Sequence, residues 1–395
     1  MSADAARREE PRVGDVVVMD VGEFDHLVVR LRDLGYEVKG PTLRDGAIVP
    51  GTVESRADLP RGVHDAQAPA HYRTESTEDE ELFGWAVGPQ SWKAEFFPSS
   101  QVMWSSETVG ATVVFRAPEA PASPLAIVGA RPCDVAALDV LDRVLAEGPY
   151  RDHQYATSRA RSFIAVVECA APADTCFCPS TQSGPGIEDN FDLALTELSD
   201  GRGHRFVVRC GSSRGAEALA TLATSEASAA DLAARSRILE RSTQRITRSL
   251  PSPDLARLLA RNLDHPRWAD VAERCLSCGN CTMVCPTCFC SDVHDTSDLA
   301  GVVERRRAWS SCFDLEHSYL HGGAVRASTS SRYRQWMTHK LSTWWDQFDT
   351  SGCVGCGRCI VWCPVGIDIT EESAAIARSD GARAGGDSPE VTREG

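Results

Sequence analysis

CLSCGNCTMVCP, from Cys275 to Pro286, places four cysteines at C-x2-C-x2-C-x3-C with a proline after the last. The spacing recurs once. CVGCGRCIVWCP carries Cys353, Cys356, Cys359, Cys363 and Pro364, and each cysteine stands 78 positions after its counterpart, as Cys353 does after Cys275 (353 − 275). A four-iron cube needs one thiolate per iron, and a tight loop with cysteines spaced by two reaches three corners before it runs out of reach. In two-cluster ferredoxins the fourth cysteine of each run serves the other cluster. Cys275, Cys278, Cys281 and Cys363 are therefore expected on one [4Fe-4S] cube, and Cys353, Cys356, Cys359 and Cys285 on a second. Gly279, Gly355 and Gly357 fit a close backbone approach that leaves amide N–H groups free to donate to sulfur. Structural zinc also takes cysteine pairs spaced by two. A zinc ribbon, however, supplies two separated pairs per ion, whereas each loop here has three cysteines, a fourth and a proline.

Working outward, the 395 residues are 42% hydrophobic and 25% charged, an ordinary globular composition with room for two or three domains. The formal net charge of −15 is spread along the chain, which argues against nucleic acid or an anionic membrane surface as a partner. The first residues lack an apolar signal-peptide core, and no apolar run approaches the roughly 20 residues of a membrane helix. A soluble, cytoplasmic protein with no membrane contact is expected. In that reducing compartment sixteen cysteines read as metal ligands rather than disulfides. The three lysines, Lys39, Lys93 and Lys340, against 41 basic residues in all, read as genome composition, not mechanism.

The fold class expected is α+β: an N-terminal α/β domain, a helical connector and a C-terminal two-cluster ferredoxin-like domain. The α/β domain and connector occupy residues 1–250. The ferredoxin-like part occupies 251–378 with an insert at about 291–345, and 379–395 is a disordered tail. VGDVVVMDVG reads as a strand and FDHLVVRLRDLGYEV as a helix ending at Gly35. The Pro-, Asp- and Glu-rich stretch from Thr52 to Glu80 reads as surface loop. ATVVFRA, PLAIVGA and SFIAVVECA read as strands, the second followed by the amphipathic helix RPCDVAALDVLDRVLAE. FDLALTEL and HRFVVRCG form a pair joined at Asp200-Gly201. Long Ala- and Arg-rich helices follow to residue 274, SCFDLEHSYLHGG reads as a short helix, and SRYRQWMTHKLSTWWDQF as a longer one.

Eight cysteines lie outside the two cassettes. Cys133 sits at a helix start after a strand, Cys169 ends the next strand, and Cys176 and Cys178 follow in the loop behind it. Parallel neighbouring strands would gather these four, which could then hold a third [4Fe-4S] cluster; the alternative is four buried packing thiols. Cys210, Cys288, Cys290 and Cys312 read as packing. No G-x-G-x-x-G follows a strand, so no NAD(P) site is visible in this chain, and the flavin question stays open. No catalytic nucleophile, paired carboxylates or H-E-x-x-H is visible, and His317 and His321 read as structural.

GARPCDVAALDVLD (129–142), VECAAPADTCFC (167–178), CLSCGNCTMVCPTCFC (275–290), WSSCFDLEHSYLHGG (309–323) and CVGCGRCIVWCP (353–364), with WKAEFFP around Lys93, resemble one family over most of residues 90 to 370. It is the beta subunit of cytosolic sulfhydrogenase-type [NiFe] hydrogenases, together with its relative in anaerobic sulfite reductase. The resemblance implies an electron-transfer subunit, not catalytic alone. It would connect a diaphorase-type partner carrying FAD and NAD(P)H with a catalytic partner: the hydrogenase small and large subunits, or a siroheme subunit. Two other readings are a free-standing ferredoxin-like carrier, for which the α/β half is too large, and a flavin-containing oxidoreductase acting on a small substrate itself.

Overall fold

The computed structural model describes residues 10–118, 123–251 and 254–386. The first half contributes strands β1 (Val16–Asp20), β2 (Glu37–Arg44), β3 (Ala47–Thr52), β4 (Val63–Ala68), β5 (His71–Ser76), β6 (Ser100–Val109) and β7 (Thr112–Arg116). After these come β8 (Leu125–Ala130), β9 (Phe163–Val167), β10 (Leu193–Asp200), β11 (Gly203–Cys210) and the short β12 (Thr224–Glu226). A last hairpin, β13 (Ser291–Ser297) and β14 (Val303–Trp309), lies between the two cassettes.

The main sheet has the order β12-β1-β11-β10-β9-β8-β2-β3. Its centre, β10-β9-β8-β2, is parallel, and antiparallel strands extend both sides. FIAVV of β9 is buried along its whole length, as a strand covered on both faces requires. Alternate side chains go to opposite cores. Phe163, Ala165 and Val167 join Phe24, Leu27, Leu31 and Phe206 on one face; Ile164 and Val166 join Trp92, Phe96, Leu138 and Tyr155 on the other. The aromatic side chains of WKAEFFP, Trp92, Phe96 and Phe97, are thus core. The crossover from β8 to β9 runs through the helix Pro132–Leu145, which starts directly after the strand. Strand C-terminal ends and that helix start therefore meet at one edge of the sheet, where α/β folds place their ligands.

Several expectations need correction. The stretch read as loop from Thr52 to Glu80 contains the β4–β5 hairpin, whose turn residue Ala70 donates its N–H to the Ile360 carbonyl and whose Tyr72 ring packs 5.3 Å from Trp362. Its charged, half-exposed strands lack the apolar alternation that would announce them. SCFDLEHSYLHGG forms one 3-10 turn, Glu316–Ser318, then a two-residue hairpin, because Gly322 and Gly323 both adopt positive φ. Within the insert between the cassettes β14 pairs with β6, so β13-β14-β6-β7 is one antiparallel sheet shared by both halves of the chain. Finally, the helix Ile369–Gly386 continues through residues expected to be disordered, with Asp380 paired to Arg261. Asp380 accepts hydrogen bonds from Arg261 and Asn262 there; the rest of that expected tail lies outside the described residues.

Candidate metal centres

The cassette repeat survives in three dimensions. Gly279 and Gly357, offset like the cysteines, both take left-handed φ and open the one-turn helices Asn280–Met283 and Arg358–Val361. The helix Arg267–Arg274 buries Trp268 and Val271 and hands the chain to Cys275, whose N–H donates to the Val271 carbonyl at 3.0 Å. Cys275, Cys278 and Cys281 then line a cavity together with Cys363, from the far cassette. Phe313, Tyr333, Trp336 and Ile367 form its apolar wall, and Cys359 also reaches it. Cys278 is exposed, so this cavity lies at the surface. Cys285 lies near enough to Cys353, Cys356 and Cys359 for its charge to act on each. Amide N–H groups point at sulfur from Ser277 to Cys275 (3.5 Å), Gly355 to Cys353 (3.5 Å) and Ile367 to Cys363 (3.3 Å).

In the α/β half, Cys133, Cys169, Cys176 and Cys178 line a single cavity at the ends of β8 and β9, with Arg131, Pro185 and Cys356. Cys356 belongs to the second cassette, whose loop is pressed against the TCFC loop. Phe177 donates its N–H to the Gly355 carbonyl at 2.8 Å and Ser183 Oγ to that of Val354 at 2.7 Å. Gly355 and Gly357 have no room for a side chain: an added Cβ would stand 2.6 Å from the Cys178 backbone and 2.5 Å from the Thr175 carbonyl oxygen. The Arg358 guanidinium fixes the same junction, donating to Asp134 Oδ1 and to the Gly88 carbonyl, both at 2.9 Å.

The donor set suits iron-sulfur chemistry. Burial pushes the thiols of Cys353 and Cys178 up to about 12, and those of Cys281, Cys133 and Cys176 well above the usual value. Such thiols stay protonated until a metal takes the sulfur as thiolate. Cys285 goes the other way. A hydrogen bond from the Cys288 thiol and the nearby Lys340 ammonium hold it well below the usual range despite burial.

Sequence reasoning passed over the lysines. Two of the three are buried beside cysteines: Lys340 Nζ donates to Cys285 Sγ at 3.2 Å and to Thr287 Oγ1 at 3.0 Å, and Lys93 Nζ to the Cys288 carbonyl at 3.1 Å. Lys340 sits in a π-helical turn, His339–Thr343, inside the long helix, a distortion frequent at functional sites. The signal was available: in an arginine-rich chain, Lys93 lies in WKAEFFP and Lys340 precedes the second cassette by a few turns.

A family model described as a 4Fe-4S dicluster domain matches residues 274–367. The chain is also 34% identical over 245 residues to the protein named sulfhydrogenase 2 subunit beta of Pyrococcus furiosus, an alignment covering 61% of this chain and 71% of that one. Among the described residues no helix is long and apolar enough to cross a membrane.

Proposed function

The chain belongs to the family of sulfhydrogenase beta subunits and is an iron-sulfur electron-transfer subunit of a multi-subunit oxidoreductase; on that premise we propose that it carries electrons between a partner binding FAD and NAD(P)H and the small and large subunits of a [NiFe] hydrogenase in the cytoplasm. Cys275, Cys278, Cys281 and Cys363 hold one [4Fe-4S] cube, Cys353, Cys356, Cys359 and Cys285 a second, and Cys133, Cys169, Cys176 and Cys178 a third. These clusters supply one-electron transfer. The observation that carries the reading is continuity: Cys359 of the second set also walls the first cavity, and Cys356 of the same set walls the cavity of the third. The second cysteine set thus borders both of the others, from exposed Cys278 to the buried edge of the sheet. The protein's own part is to keep these groups adjacent, exclude water with Tyr333, Trp336 and Phe313, and aim amides and Lys340 at ligand sulfur.

The test is isolation of the tagged chain with its native partners under anaerobic conditions. The expected complex reduces NAD(P)+ with H2, and the chain alone contains at least about twelve irons, about four of which are lost in Cys176→Ser, where two cubes alone would give about eight and no loss in that variant. A complex that oxidises NAD(P)H with sulfite and has no H2 activity would assign the siroheme partner instead. Stoichiometric flavin on the isolated chain would favour an enzyme acting by itself.

Lys340 gives a sharper expectation. Its ammonium donates to the ligand Cys285 and its charge favours the more negative, reduced state of that cluster. Lys340→Met is expected to move the second cube's midpoint to more negative potential in an EPR-monitored titration without loss of iron, and Lys340→Arg to restore part of the shift. Identical midpoints in all three chains would remove Lys340 from the site.

A further inference from the structure

Cys288, Cys290 and Cys312 have no place in the three sets above. Their arrangement is nevertheless specific. Cys290 immediately precedes β13 and Cys312 follows β14; Ser291 pairs with Trp309, and the Ser310 N–H continues the ladder to the Cys290 carbonyl at 2.9 Å. The base of the hairpin thereby brings Cys290 and Cys312 to the same end of the ladder. Cys288 stands two residues before Cys290 and three after Cys285. Among the described residues no three His, Cys, Asp or Glu side chains converge at single-ion distance.

Two cations are aimed into this group. Lys93, 3% exposed, comes from the N-terminal half, lies 3.8 Å above the Trp309 ring and donates to the Cys288 carbonyl. Lys340, 5% exposed, comes from the π-helical turn His339–Thr343 and donates to Cys285 and Thr287. Among the described residues neither ammonium pairs with a carboxylate; the polar atoms they meet are the Cys288 carbonyl for Lys93 and Cys285 Sγ and Thr287 Oγ1 for Lys340. Burying an ammonium costs several kcal/mol unless opposite charge compensates it. Cys285, as a ligand of the second cube, supplies such charge beside Lys340; a metal on Cys288, whose carbonyl Lys93 reaches, would hold that thiol deprotonated and supply it for the second cation.

We propose that Cys288, Cys290 and Cys312 are ligands of a further iron-sulfur centre, lying between the second cassette and the antiparallel sheet and balanced in charge by Lys93 and Lys340. Donors that do not converge on one ion suit a core of more than one iron. The proposal rests on the cube reading only in that the cubes' own signals serve as its internal reference.

The test compares the full-length chain, purified anaerobically, with Cys290→Ser/Cys312→Ser, with Cys312→Ser alone in case the pair does not fold, and with Cys210→Ser as a packing control. Iron, acid-labile sulfide, zinc and the EPR spectrum after dithionite reduction are measured on each. Both site variants are expected to lose about two to four irons with matching sulfide while the cassette signals persist, and the control to lose none. Unchanged iron and sulfide, or loss of zinc alone, overturns the proposal. Absence of the cassette signals from the wild-type chain would instead sink the reading in the preceding subsection.

Discussion

Replacing Cys363 with serine is expected to empty the cluster of the other cassette. Cys363 ends CVGCGRCIVWCP, yet its sulfur lines the cavity of Cys275, Cys278 and Cys281, while Cys353, Cys356 and Cys359 of its own run have Cys285 beside them. Serine is a poor ligand for iron in this soft-donor site. Cys363→Ser should therefore lose about four irons and keep the cube whose midpoint responds to Lys340→Met. Cys285→Ser should do the reverse. With the first cube lost, the relay loses the step that lies at the surface by Cys278, and NAD(P)H-linked turnover of the complex should fall to background while binding of the partners survives. Iron counting, EPR and turnover on the two variants decide it. If Cys363→Ser removes the Lys340-sensitive cube, each cassette holds its own cluster and the crossing is wrong.

The cassettes were legible because cluster ligation is a local constraint: three thiols and the glycine after the second of them recur at fixed spacing in both loops. The strands β8 to β11 were legible for a similar reason, since buried parallel strands must be continuously apolar and the Asp200-Gly201 turn announces its hairpin. The gathering of Cys133, Cys169, Cys176 and Cys178 followed from topology alone, because adjacent parallel strands end at one edge. What stayed hidden depends on chain segments far apart. β14 pairs with β6 across almost two hundred residues, and neither strand shows which partner it will take. The β4–β5 hairpin packs polar side chains and one tyrosine, too little pattern to separate it from loop. Lys93 and Lys340 stood out by type in an arginine-rich chain, but only the fold links them to the cysteines, because a buried cation leaves no periodic trace. Arg358 was hidden inside a cassette whose cysteines claimed all the attention.

Arg358→Met is expected to cost about 3–5 kcal/mol of stability and to loosen the second cassette from the α/β half. Arg358 and Asp134 are 2% and 4% exposed, and the guanidinium also bonds the Gly88 carbonyl, so three chain segments meet on one side chain. Methionine fills much of the space but leaves the Asp134 carboxylate buried with the Arg131 N–H as its remaining bond partner. The cost therefore comes from the stranded carboxylate more than from the lost attraction. That distinction is measurable. Asp134→Leu combined with Arg358→Met should recover most of the stability lost by either single variant, a coupling read from denaturant midpoints of the three chains and wild type. Arg358→Lys should fall between, because an ammonium keeps the charge without the guanidinium fork that reaches Asp134 and Gly88 together. Additive losses in the double variant would mean that the pair is not coupled, and that the cassette is held on the sheet edge by the Phe177–Gly355 and Ser183–Val354 hydrogen bonds instead.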